Sequence, residues 1–79
     1  MRKKSEKLFR ELQRRFAENL TRLRAAQGLT QEQLGQRTGL HWRHLQKMEA
    51  GESNVTMVTM ARLADGLGVD ARDLMAGAR

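Results

Sequence analysis

The chain has no cysteine, no proline and only 4% aromatic residues, a single tryptophan among them. Without cysteine, neither a disulfide framework nor a thiolate metal site is possible. No apolar run approaches the roughly 20 residues a membrane span needs, and no signal-peptide core follows the basic start, so the expected location is cytoplasmic. What remains is dominated by Ala, Leu, Arg, Gln, Glu and Met, all good helix formers, and the expectation is an all-α protein. Seventy-nine residues make one domain. A chain this short hides only about 60% of the surface its unfolded form exposes, so stability rests on packing, with dimerisation as a further aid.

The charge is +6 and unevenly placed. Residues 1–15 carry seven Lys/Arg (Arg2, Lys3, Lys4, Lys7, Arg10, Arg14, Arg15) against Glu6 and Glu11, whereas residues 16–79 carry eight against seven acids. A positive segment concentrates polyanions and gains from counterion release, although such a terminus can equally serve solubility alone. The chain divides into a basic extension, residues 1–15, and a domain over residues 16–79.

One local pattern recurs. An apolar residue precedes a cap position, and a second apolar residue follows the first by five places: Leu29 with Leu34, Leu40 with Leu45, Val55 with Met60, Val69 with Leu74. This is the hydrophobic staple that sets how a chain enters a helix. Thr30 with Gln33 adds a capping box, Asp70 and Asp73 place carboxylates at a helix start, and Gly28, Gly39, Gly51 and Gly68 punctuate the far ends. Five helices are predicted, at about 6–27, 31–38, 42–50, 57–67 and 71–76. Helix 1 lines up Leu8, Leu12, Phe16, Leu20 and Leu23 on one face. Its early part, with Leu8, Phe9 and Leu12, has spare apolar surface that can fold onto helix 5, pair with a second subunit or order on binding. Leu34, Leu45, Met48, Met60, Leu63, Ala64, Leu67 and Leu74 complete the expected core, in which the methionines fill gaps.

Between helices 2 and 3, Thr38-Gly39-Leu40 makes a sharp corner that holds two helices at about 90–120°. With Leu45 and Met48 facing inward, the outward stripe of helix 3 becomes Trp42, Arg43, Gln46 and Lys47, flanked by His44. A solvated polar face is the ordinary explanation of such a stripe. Here it coincides with a corner, staples and glycine stops, and the major groove of B-DNA admits one α-helix.

The segment from Phe16 to about Met75 resembles the Cro/phage-repressor helix-turn-helix family, also called the xenobiotic-response-element family. The matching residues are Leu23-Arg24, Gly28 through Leu34, Gly39-Leu40, Glu49-Ala50-Gly51, Asn54, Leu63-Ala64 and Leu67-Gly68-Val69. The resemblance implies a compact five-helix, lambda-repressor-like DNA-binding domain with an extended basic helix 1. It implies base contacts from Trp42, Arg43, Gln46 and Lys47, and a phosphate contact from Gln31, which also braces helix 3. His41, His44, Lys3 and Lys4 are the further phosphate candidates. Arg24 and Glu49 are expected as an ion pair joining helices 1 and 3, and Leu67, Val69, Leu74 and Met75 at a subunit contact.

Several positions depart from the family pattern. Trp42 stands where small or amide residues are usual, and can face DNA or fold back against helix 2. His41 is a weaker cap than Ser or Thr. Gly35 replaces a usual Ala, and either destabilises helix 2 by up to about 1 kcal/mol or permits a closer contact. Val55 replaces a common proline. His41 and His44 share a helix face, but without a supporting carboxylate or cysteine they fall short of a metal ligand set.

The implied function is a sequence-specific regulator that binds double-stranded DNA as a homodimer on a palindromic operator. It would be of the restriction–modification controller or Cro-like repressor type, in a prokaryotic cytoplasm at the nucleoid. No metal, cofactor, small-molecule ligand or membrane is expected. The span from Met1 to just past helix 5 is expected to hold no sensor or catalytic domain, and no nucleophile–base set, phosphate loop or paired-carboxylate pocket is visible. The alternative is an antitoxin-type protein, or a module that keeps the fold and docks RNA or an acidic protein.

Overall fold

The structure, a computed structural model, describes residues 2–77. Helix α1 runs from Lys3 to Ala26, α2 from Gln31 to Thr38, α3 from Trp42 to Glu49 and α4 from Met57 to Leu67, followed by a 3₁₀ helix at Ala71–Met75. The helix expected from about residue 6 begins three residues earlier and continues unbroken through the basic segment. The fifth helix is a 3₁₀ turn and not an α-helix. Five residues between the Asp70 cap and the extended backbone of Ala76 leave too little length for an i→i−4 ladder, and 3₁₀ geometry serves such short pieces.

The ends of these elements follow from local chemistry. The Thr30 hydroxyl accepts the Gln33 N–H while the Gln33 side chain accepts the Thr30 N–H, closing the expected capping box. Thr56 caps α4 through the Thr59 N–H, and Asp70 caps the 3₁₀ helix through the Arg72 N–H. At the corner after α2, Gly39 adopts φ 77°, a left-handed conformation that glycine alone takes without steric cost.

Phe16, Leu20, Leu34, Leu45, Met48, Leu63, Ala64, Leu67 and Leu74 form one buried cluster. Each fully buried leucine contributes about 1.5–3 kcal/mol of transfer free energy. The staple residues Leu29, Leu40, Val55 and Val69 are partly buried and packed against this cluster, so the entry to each short element is pinned to the core. Met60, expected inside, is only partly buried.

Two residues expected at a subunit contact require correction. Leu67 and Leu74 are 4% and 0% exposed, sealed within the core of a single copy because α4 packs on α2 and the 3₁₀ helix packs on α1 and α4. Of the four, Val69 and Met75 keep accessible surface.

Helix α2 is placed by two close approaches. A Cβ on Gly35 would lie 2.6 Å from the Leu40 carbonyl oxygen, so the absent side chain lets the corner backbone fold down onto α2. A Cβ on Gly66 of α4 would lie 2.5 Å from Thr38 Cγ2. The first decides between the two roles of Gly35 in favour of close contact.

Polar side chains tie the periphery to this frame. Asn19 of α1 is 8% exposed and donates through Nδ2 to the Leu74 and Ala76 carbonyls at 3.1 and 2.8 Å, which fastens the C-terminal segment against α1. Gln13 donates to the Ser53 carbonyl, and Gln27 to that of Leu67. Asn19 lay unremarked in the sequence, yet its spacing of three from Phe16 on the apolar stripe was the available signal.

Candidate nucleic-acid interface

Helix α3 has two faces. Leu45 and Met48, three residues apart, are 0% and 1% exposed and anchor it in the core. Trp42, Arg43, His44, Gln46 and Lys47 are all exposed. The structure thus gathers the four expected base-contacting residues on the outer surface of one helix, and the Trp42 ring lies outside the core. This presents cationic and amide donors on a rigid rod, as major-groove recognition requires.

The N-terminus of α3 is capped by an imidazole. His41 Nδ1 accepts the backbone N–H of Arg43 at 3.1 Å, satisfying one of the helix's orphan donors. That bond needs an unprotonated Nδ1, so the capping ring offers only Nε2–H outward. The Arg43 guanidinium carbon lies 5.4 Å from the Trp42 ring centroid, and the His41 ring stacks on the same indole with centroids 6.0 Å apart.

The far end of α3 is held by an ion pair. Arg24 Nε and Nη2 donate to the two carboxylate oxygens of Glu49 at 2.7 and 2.9 Å, a bidentate geometry. Arg24 Nη1 also donates to the Leu29 carbonyl at 2.7 Å, and Gln31 Nε2 to Glu49 Oε1 at 3.2 Å. One guanidinium therefore fastens the entry to α2 and the exit of α3 to α1. Burial alone would raise the Glu49 carboxyl, but the hydrogen bonds from Arg24 and Gln31 and the Arg24 charge outweigh it and hold it below its ordinary value. The same pairing raises Arg24.

Lys3 and Lys4 are exposed at the other end of α1. At 1.5 Å per residue, Lys3 lies about 31 Å along the helix axis from Arg24, which abuts the end of α3. The two lysines are not gathered with the α3 face; they extend the basic surface lengthwise. Among the described residues, no helix is long and apolar enough to cross a membrane.

A helix-turn-helix domain model matches residues 15–76. The chain belongs to the helix-turn-helix domain family. It is 35% identical over 65 residues to an uncharacterised HTH-type transcriptional regulator, y4dJ of Sinorhizobium fredii, covering 82% of this chain and 84% of that one. It is 34% identical over 67 residues to the control protein C.SmaI of Serratia marcescens, covering 85% and 80%. Its fold is similar to that of the restriction-modification controller protein C.AhdI of Aeromonas hydrophila, with TM-score 0.76, 35% identity, and coverage of 78% of this chain and 94% of that chain. In this helix-turn-helix protein α2 and α3 form the motif, and the Arg24–Glu49–Gln31 cluster bonds both of them to α1. The match begins at Phe16's neighbour Arg15, where α1 has already run for a dozen residues.

Proposed function

We infer that the chain is a sequence-specific transcriptional regulator that binds double-stranded DNA, of the restriction–modification controller or Cro-like repressor type. The observation that carries this is α3 itself, anchored through Leu45 and Met48 and presenting Arg43, Gln46 and Lys47 to solvent. Arg43 is the residue suited to bidentate recognition of guanine O6 and N7, and Lys47 reads a guanine or holds a phosphate. Gln31, His41, His44, Lys3 and Lys4 take phosphates. His41 does so through its Nε2–H, because its Nδ1 is engaged in the cap.

A single α3 spans only a few base pairs, so the active form is a homodimer on a palindromic operator with half-sites about 34 Å apart. Val69 and Met75 supply the apolar surface for that pairing, together with the groove that Phe9, Leu12, Val55 and Met60 line beside Met75. The protein works in the prokaryotic cytoplasm, at the nucleoid, without cofactor or catalytic step.

Selection of bound fragments from random duplex DNA, followed by affinity measurements on selected and random sequences across salt, tests this. A specificity ratio of several decades is expected. A ratio near one would overturn base reading and favour a module that docks RNA or an acidic protein.

A further inference from the structure

Arg43 is held at both ends by the two residues that precede it. Its main-chain N–H is bound by His41 Nδ1 at 3.1 Å, and its guanidinium lies 5.4 Å from the Trp42 centroid, inside the reach of a cation–π contact. His41 steadies the indole in turn, its ring inclined 27° to the Trp42 plane. The three ion pairs among the described residues leave Arg43 out, so no carboxylate competes for its charge.

We propose that Trp42 is a positioning residue for Arg43, holding the guanidinium by its face so that the in-plane N–H edge is presented to a guanine. The assignment rests on α3 reading base edges and adds how its main reader is aimed. Stacking uses the face of the guanidinium and bidentate hydrogen bonding uses its edge, so one contact need not break for the other to form. A free arginine loses much rotamer freedom when it docks on a base; one already laid on an indole has lost part of it before DNA arrives. Trp42 then contributes discrimination at Arg43's base position without touching the DNA. The rival role for an exposed indole, 37% accessible here, is direct contact with a thymine methyl or the sugar-phosphate wall.

A double-mutant cycle on the full chain separates the two. Affinities of the wild type, Trp42→Phe, Trp42→Ala, Arg43→Ala and the Trp42→Ala/Arg43→Ala double variant are measured on duplexes that differ at the base position Arg43→Ala relaxes. Trp42→Ala is expected to lower discrimination at that position about two- to tenfold, the size of the ordering cost of one rotamer-rich side chain. Trp42→Phe retains most of it, and Trp42→Ala adds nothing once Arg43 is gone. In the free protein, acrylamide quenching of the lone tryptophan should rise in Arg43→Ala, because the guanidinium no longer covers the ring. Equal losses with and without Arg43 would show that Trp42 touches DNA on its own account and overturn the proposal. Unchanged discrimination in Trp42→Ala would overturn it as well. Should Trp42→Ala lose its cooperative melt, Trp42→Leu, which keeps apolar bulk without a π face, takes its place. Absence of any sequence preference in the wild type would sink base reading itself, an outcome distinct from failure at Trp42 alone.

Discussion

Arg24 and Glu49, 25 residues apart in sequence, meet in a two-pronged ion pair whose side chains are 17% and 7% exposed. Removing one partner strands the other's charge in a largely buried site. Glu49→Ala and Arg24→Ala are each expected to destabilise the fold by about 3 kcal/mol, read as a lower urea midpoint. An apolar pair, Arg24→Met with Glu49→Leu, should recover most of the loss, because no charge is then left without its partner. Equal instability in the apolar pair would show that Arg24's bond to the Leu29 carbonyl, and not the ion pair, is what matters.

Acid should act through the same carboxylate. Glu49 is held below its ordinary value in the folded state, whereas an unfolded glutamate titrates near about 4.3. The stability linked to Glu49 is therefore fully present above that pH and is lost as pH falls through the folded value. The urea midpoint should fall as pH drops below about 5 in the wild type, and Glu49→Gln should flatten part of that slope. Asp70, drawn down to about 2 by its hydrogen bonds with Arg72, keeps its charge in the folded state to lower pH than a free aspartate.

Gly35→Ala ordinarily strengthens a helix by up to about 1 kcal/mol. Here the added methyl would meet the Leu40 carbonyl oxygen at 2.6 Å, a backbone atom that cannot rotate away. The substitution should lower the thermal midpoint and shift the corner that aims α3, weakening DNA binding beyond what stability explains. A raised midpoint with unchanged binding would show that the corner gives way easily.

Lys3 and Lys4 lie about 20 Å along α1 from Ala17, which meets Gly51 just past α3, too far to share its bases. Replacing both by Ala should weaken binding to every duplex alike and reduce the salt slope by about 2, since each phosphate contact contributes about 0.9. Selectivity should be untouched. A loss confined to one operator position, or no change in slope, would remove these lysines from the interface.

The borders of the elements were legible in the chain itself. Thr30 with Gln33, Thr56, Asp70 and the glycines at 39 and 68 act within four residues of where they stand, so α2 and α4 run where the caps and stops predict. The outer stripe of α3 was equally readable, because Leu45 and Met48 repeat at helical spacing and leave Arg43, Gln46 and Lys47 opposite. Arg24 with Glu49 became visible through family resemblance, not periodicity, since nothing local joins positions 25 apart.

Other features waited for tertiary structure. Leu67, Leu74 and Met75 look alike as apolar letters near the C-terminus, yet only the packing of α4 on α2 and of the 3₁₀ helix on α1 and α4 decides that the first two are sealed inside and the third keeps a face. Gly35 counts as a weak helix former until the Leu40 backbone is brought down upon it. Trp42 had two destinations, and only the folded structure sets its ring outside the core, beside Arg43 and His41. Hydrogen bonds and dihedral preferences act over one turn and can be read along a line of residues. Which surfaces meet depends on volumes and distances that exist only once the helices have packed.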